Sequence, residues 1–130
     1  AGLPLYGQEF DETITPYEAG FGWVINLEND HEFFGKKSLE TIEANQIEKK
    51  LVGIKILGKA IARKNCEIFK DGKIIGKITS GSWSPTLKKP IALGYVKINY
   101  SNLNEEVEVK IRNKFFKGII SKKAFYKKDF

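Results

Sequence analysis

The pattern of apolar and polar positions divides the chain in two. Up to residue 50, hydrophobic residues are scattered among turn formers. Thr15-Pro16-Tyr17-Glu18 predicts a helix start: Thr15 can cap free amides, Pro16 has the φ of a first helical residue, and Glu18 can reach back as in a capping box. Gly20 and Gly22 keep that helix short. After Phe33-Phe34-Gly35, the residues Leu39, Ile42 and Ile47 approximate one apolar stripe among charges, which predicts a helix over 36–50.

From Leu51 the period becomes that of strands. Residues 51–57 (LVGIKIL) and 91–98 (IALGYVKI) are nearly continuous apolar runs. Residues 66–69 and 73–79 flank Asp71-Gly72, a strong two-residue hairpin signal. Over 106–111, Val107, Val109 and Ile111 alternate with Glu106, Glu108 and Lys110, and 115–120 should return against them across an Arg112-Asn113-Lys114 turn. The pattern therefore predicts a mainly β fold, a small antiparallel six-stranded barrel or jelly roll over 51–130, preceded by a helical and looped arm over 1–50.

Charge sharpens that boundary. Residues 1–50 carry four Lys against ten acidic residues, whereas 51–130 carry 18 Lys and Arg against six. The length of 130 residues suits one domain with an arm, and a hydrophobic content of 42% supports a real core. No apolar run approaches the roughly 20 residues of a membrane-spanning helix. A single cysteine, Cys66, excludes an internal disulfide framework and fits a reducing cytoplasm. With one His and one Cys, a His/Cys zinc site cannot be built. The composition has no methionine, even at position 1, so the chain is expected to be a processed or excised piece of a longer protein.

Few residues point to chemistry on their own. His31, in Glu28-Asn29-Asp30-His31-Glu32, lacks an orienting partner and reads as a solvated loop histidine. Cys66 has no CxxC partner and reads as a small buried hydrophobe. Trp23 and Trp83 read as packing residues, with lining of a cleft as the other reading of Trp83 in its loop. Thr79-Ser80-Gly81-Ser82-Trp83-Ser84-Pro85-Thr86-Leu87 reads as a hydroxyl-rich turn that either satisfies its own backbone or holds a polar ligand. The last 21 residues carry eight Lys and Arg with Phe115, Phe116, Phe125 and Tyr126 interleaved, a combination that can bind single-stranded RNA. Only two of the 22 basic residues are Arg, and Phe115 and Phe116 should face opposite sides of one strand, which disfavours nucleic acid. A solvated lysine surface and an acidic protein partner are the other readings of the same field.

Several stretches, taken in order, resemble the aminomethyltransferase (T-protein) family of the glycine cleavage system. They are Ala1-Gly2-Leu3-Pro4-Leu5-Tyr6-Gly7-Gln8-Glu9, Thr15-Pro16-Tyr17-Glu18-Ala19-Gly20, Gly22-Trp23, Phe33-Phe34-Gly35-Lys36, Gly76-Lys77-Ile78-Thr79-Ser80-Gly81, Ser84-Pro85-Thr86-Leu87 and Ile91-Ala92-Leu93-Gly94-Tyr95-Val96. Together they match that family's C-terminal third, while 97–130 fits by strand pattern. The resemblance implies a cytoplasmic folate enzyme that takes an aminomethyl group from the lipoyl arm of a carrier (H) protein. It passes the methylene to tetrahydrofolate and releases ammonia. The family's catalytic Asp has no counterpart here and its pterin-binding Glu would lie just before Ala1, so this piece alone is expected to be inactive. A basic residue that helps hold folate is expected before Phe33, where this chain has Asn29-Asp30-His31. The resemblance places Tyr6 near the pterin, and Tyr126 with Lys127 and Lys128 near the benzoyl-glutamate end. It also leaves two relatives as alternatives with another donor, a folate-dependent demethylase and a folate-binding iron–sulfur assembly factor.

Overall fold

Six strands form in the predicted order: β1 (Lys49–Ile56), β2 (Glu67–Lys70), β3 (Lys73–Ser84), β4 (Lys89–Lys97), β5 (Glu106–Ile111) and β6 (Lys114–Ser121). The computed structural model describes residues 1–44 and 47–127. All pairings are antiparallel, and the ladder closes into a barrel in the order β1-β4-β3-β2-β5-β6. Asp71 and Gly72 have φ of 49° and 75° and join β2 to β3 as the two-residue hairpin their sequence predicts. The β5–β6 turn is tighter than expected. Ile111 pairs with Lys114, so only Arg112 and Asn113 turn, at φ 50° and 64°.

Inside the barrel, Val52, Ile54 and Ile56 of β1 meet Ala92, Val96, Val107, Val109 and Ile120. β5 buries alternate residues, as its apolar–acidic alternation demands. β1 and β4 do not alternate: Leu51, Leu93 and Tyr95 are buried on the outside, against Ile14 of the arm and Phe125 of the C-terminal segment. Two covered faces explain why the sequences of these two strands are continuous apolar runs.

Only the end of the hydroxyl-rich run turns. β3 continues through it to Ser84, pairing with β4 as far as Ser84–Lys89, with an irregularity between Ile78 and Ser80 that leaves Thr79 unpaired. The reversal falls at 85–88, where Lys88 has φ 51°. Ser and Gly here serve close contact: a methyl on Gly81 would overlap the Ala62 carbonyl, and one on Gly76 the Tyr95 carbonyl.

The arm is more looped than helical. Thr15–Gly20 makes one helical turn and no more, and Gly22–Val24 is a short 3-10 turn. The second helix, α1 (Lys36–Ala44), is shorter than the predicted 36–50 because Lys49 already pairs with Lys97 in the barrel. Asn45 and Gln46 of that predicted span lie outside the described residues.

Two glycines should fail for different reasons. Gly72→Ala has open space but the wrong φ, and should cost about 1 kcal/mol in urea unfolding. Gly76→Ala meets backbone and should cost about 3 kcal/mol. Equal losses would refute the packing account.

Candidate functional site

The arm is held on the barrel by a few polar anchors. Its single helical turn is closed at both ends. At the start, Thr15 N donates to Glu18 Oε2 at 2.9 Å and Glu18 N to Thr15 Oγ1 at 3.2 Å, the capping box expected from sequence. At the end, Phe21 N reaches Pro16 O and Gly20 N reaches Tyr17 O, with Gly20 at φ 78°, a Schellman closure. Leu51 N then donates to Glu18 O at 2.9 Å, tying this turn to β1.

Glu9 is the central anchor. Although it is only 4% exposed, both its carboxyl oxygens accept hydrogen bonds: Leu5 N donates to Oε2 at 3.0 Å, Thr79 Oγ1 to Oε1 at 2.9 Å, and Ser80 Oγ to Oε1. The β3 irregularity thus presents two adjacent hydroxyls to one carboxyl group from the arm. Lys123 is a second anchor. Its Nζ donates to Ala19 O at 2.8 Å and lies 5.7 Å from the Phe21 ring centroid, while its carbonyl abuts Gly2. Burial holds the Lys123 ammonium below the ordinary lysine range, and Lys50 adds repulsion. A third buried group, Lys36, donates from Nζ to Asn29 O at 2.6 Å and to His31 O at 3.4 Å. The Asn29-Asp30-His31 loop therefore wraps a lysine with its carbonyls, and His31 itself is exposed.

Tyr95, on the covered outer face of β4, has a buried hydroxyl with no hydrogen-bond partner among the described residues. Burial pushes the phenol up, and the nearby Glu18, Glu9 and Asp11 push it in the same direction.

The residues expected at a folate site come from segments that the fold brings together. Gly2 touches Lys123, and Ala1, Gly2 and Leu3 share a hollow of about 150 Å³ with Ser80, Ser82 and Phe125. Tyr6 lies four residues beyond Gly2 and Tyr126 three beyond Lys123; both are exposed, at 61% and 54%. Tyr6 stands edge-on to Phe10, 5.6 Å between centroids. Lys127 is exposed, and Lys128 lies outside the described residues.

Other expectations are corrected. Trp23 does not pack: it is 82% exposed on its 3-10 turn, and Trp83 is 40% exposed. Of the terminal aromatics proposed to stack on RNA, Phe116 turns into the core and Phe125 covers Leu51, leaving Phe115 and Tyr126 outside. Cys66 is half-buried against the core, as expected of a small hydrophobe.

Sequence reasoning did not find a cationic cavity of about 580 Å³ at one mouth of the barrel. Its walls include Lys59, Arg63, Arg112, Lys114 and Phe116, and no carboxylate lines it. The chain has only two arginines, and both are here. Arg63 Nη1 is oriented by the Gly81 carbonyl at 3.2 Å. The spacing of Arg63 and Arg112, 49 positions apart, hid the pair.

Two substitutions test the anchoring. Glu9→Ala strands the Leu5 amide and should cost about 2 kcal/mol. Faster hydrogen exchange at that amide than in β1 would show the arm released from an intact barrel, and unchanged exchange would refute the anchor. Tyr95→Phe removes an unpartnered buried hydroxyl and should gain about 1 kcal/mol. Because the folded phenol titrates above the unfolded one, wild-type stability should fall as pH rises past the ordinary tyrosine value of about 10. The advantage of the Phe variant should therefore widen there, measured by denaturation across alkaline pH.

Comparison with known proteins agrees with this architecture. The model of the glycine cleavage T-protein C-terminal barrel domain matches residues 49–127. An aminomethyltransferase of Prochlorococcus marinus is 48% identical over 98% of this chain and 34% of its own length. One from Synechocystis is 43% identical over 99% of this chain and 35% of its own. The crystal structure of glycine cleavage system aminomethyltransferase T from Bartonella henselae superposes with a TM-score of 0.86 at 27% identity, covering 92% of this chain and 34% of that one. The chain thus spans about a third of the length of these relatives, at their C-terminal end. Match, identity and superposition agree: the chain belongs to the glycine cleavage T-protein family and carries its C-terminal barrel domain.

Proposed function

We propose that this chain is the C-terminal, folate-facing part of a cytoplasmic aminomethyltransferase. The reaction moves a methylene from the aminomethyl-lipoyl arm of a carrier protein to tetrahydrofolate, with release of ammonia and of the dihydrolipoyl thiol. The observation that carries the proposal is the Gly2–Lys123 contact, which brings the Tyr6 and Tyr126 segments to one side of the barrel. An exposed aromatic ring on each segment offers a flat surface to a pterin or a benzoyl group, and Lys127 offers a cation to a glutamate tail. These residues bind and orient. The acid that assists proton transfer lies outside this chain, so the chain alone releases no ammonia.

Arg63 and Arg112 supply what an acidic carrier would need. Guanidinium forks match carboxylates bidentately, and two forks beside two lysines in one cavity give a directional anchor for acidic side chains. No helix among the described residues is long and apolar enough to cross a membrane.

A titration with a stable reduced folate, followed by Trp fluorescence, tests this reading. Binding should saturate and tolerate high salt, and Tyr6→Ala or Tyr126→Ala should each weaken it about tenfold. Arg63→Ala with Arg112→Ala should weaken carrier binding and leave folate binding unchanged. Absence of saturable binding would remove the site from these residues. Affinity for single-stranded RNA falling log-linearly with salt would favour the nucleic-acid reading instead.

A further inference from the structure

A second cationic hollow lies on the outer face of the barrel, apart from the residues assigned to folate and carrier. It measures about 330 Å³ and is lined by Lys49, Lys64, Lys77 and Lys97 around Tyr95 and Val96. The strand register explains how the lysines meet. Lys49 pairs directly with Lys97 across β1–β4, and Lys77 pairs with Tyr95 across β3–β4. Directly opposed residues share a face, so Lys49, Lys97 and Lys77 all project on the side that carries Tyr95. Lys49 Nζ lies 5.5 Å from the Tyr95 ring centroid, consistent with that placement. Lys64 enters from the β1–β2 connection, where its Nζ donates to Gly7 O at 2.8 Å.

Like charges directly opposite in a sheet repel and lower stability. Lys49 and Lys97 are such a pair, and two more lysines reinforce the field. No carboxylate lines the hollow. Two acidic groups stand beside it: Glu67 pairs directly with Lys77 across β2–β3, and the Asp11 carboxyl is held below the ordinary range first by its hydrogen bonds from Thr13, with Lys64 and Lys49 adding to the effect. The sole ion pair among the described residues is Lys70–Glu105, elsewhere on the barrel. The hollow therefore holds concentrated positive charge with no acidic lining of its own.

The residue type indicates what it would take. Arginine forks match carboxylate and phosphate alike, and both arginines are in the other cavity. Ammonium groups are compact point charges with freely rotating donors, suited to the tetrahedral, multiply charged oxygens of phosphate. We propose that this hollow binds a phosphate-bearing small molecule carrying two or more negative charges, independently of folate and of the carrier. The binding is non-covalent.

The test uses the 130-residue chain with pyrophosphate as probe and citrate as a carboxylate of comparable charge, by calorimetry at about 0.15 M salt. Pyrophosphate should bind saturably and tighter than citrate. Lys77→Ala with Lys97→Ala should weaken it about tenfold, since two of four charges are lost. Lys73→Ala with Lys110→Ala, which removes two lysines outside the hollow, should leave it unchanged, as should Arg63→Ala with Arg112→Ala. In the unaltered chain, amide NMR shifts at Gly76, Lys77 and Tyr95 should move with the same saturation curve. Absence of saturable binding, equal loss from the distant lysine pair, loss on removing the arginines, or tighter binding of citrate would each overturn the proposal. Failure here would leave the folate reading untouched, because its test uses a different ligand and different residues.

Discussion

The outer faces of β1 and β4 set a requirement that the rest of the structure answers. Leu51, Leu93 and Tyr95 point away from the barrel interior and would meet water in an isolated barrel. Covering them needs chain from outside the ladder, and the segments on either side of it supply that, with Ile14 from the arm and Phe125 from the C-terminal segment. Apolar contact alone does not fix an orientation. The polar anchors do that: Glu9 reads the irregularity in β3, and Lys123 caps the carbonyl end of the arm's helical turn. The positions of Tyr6 and Tyr126 follow from this arrangement, since they sit on the two covering segments.

Much of the barrel was legible in the sequence because its determinants are local. Alternation in β5, the Asp71-Gly72 turn and the β-branched runs each specify structure within a few residues. The long apolar runs of β1 and β4 even recorded their double burial. The hydroxyl-rich stretch misled because Ser and Gly are also the residues of turns. In β3 glycine serves close backbone approach, while Thr79 and Ser80 serve a carboxyl group 70 and 71 positions away. No period in a sequence encodes such a pairing. The arm's first helix was legible at its caps, yet Gly20 closed it after one turn. The Arg63–Arg112 pair escaped because topology, not spacing, joins a connection to a hairpin tip.

The basic half of the chain is not one uniform surface. Both arginines, with Lys59 and Lys114, line one hollow at the barrel mouth, and four other lysines line a second on its outer wall. Net charge alone draws any anion toward the protein. The two hollows share no lining residue, so an anion drawn into one leaves the other open.

Closure of the ladder has a consequence for how the chain is made. β1 bonds to β4 on one side and to β6 on the other, so the ring is complete only when Lys114–Ser121 is in place. Until then β1 and β5 are open edges, able to recruit strands from other molecules. A ribosome delivering the chain from its N-terminus exposes those edges for the whole interval before the last strand emerges. Synthesis speed and chaperone capture, beside the stability of the finished barrel, then bear on how much of it escapes aggregation.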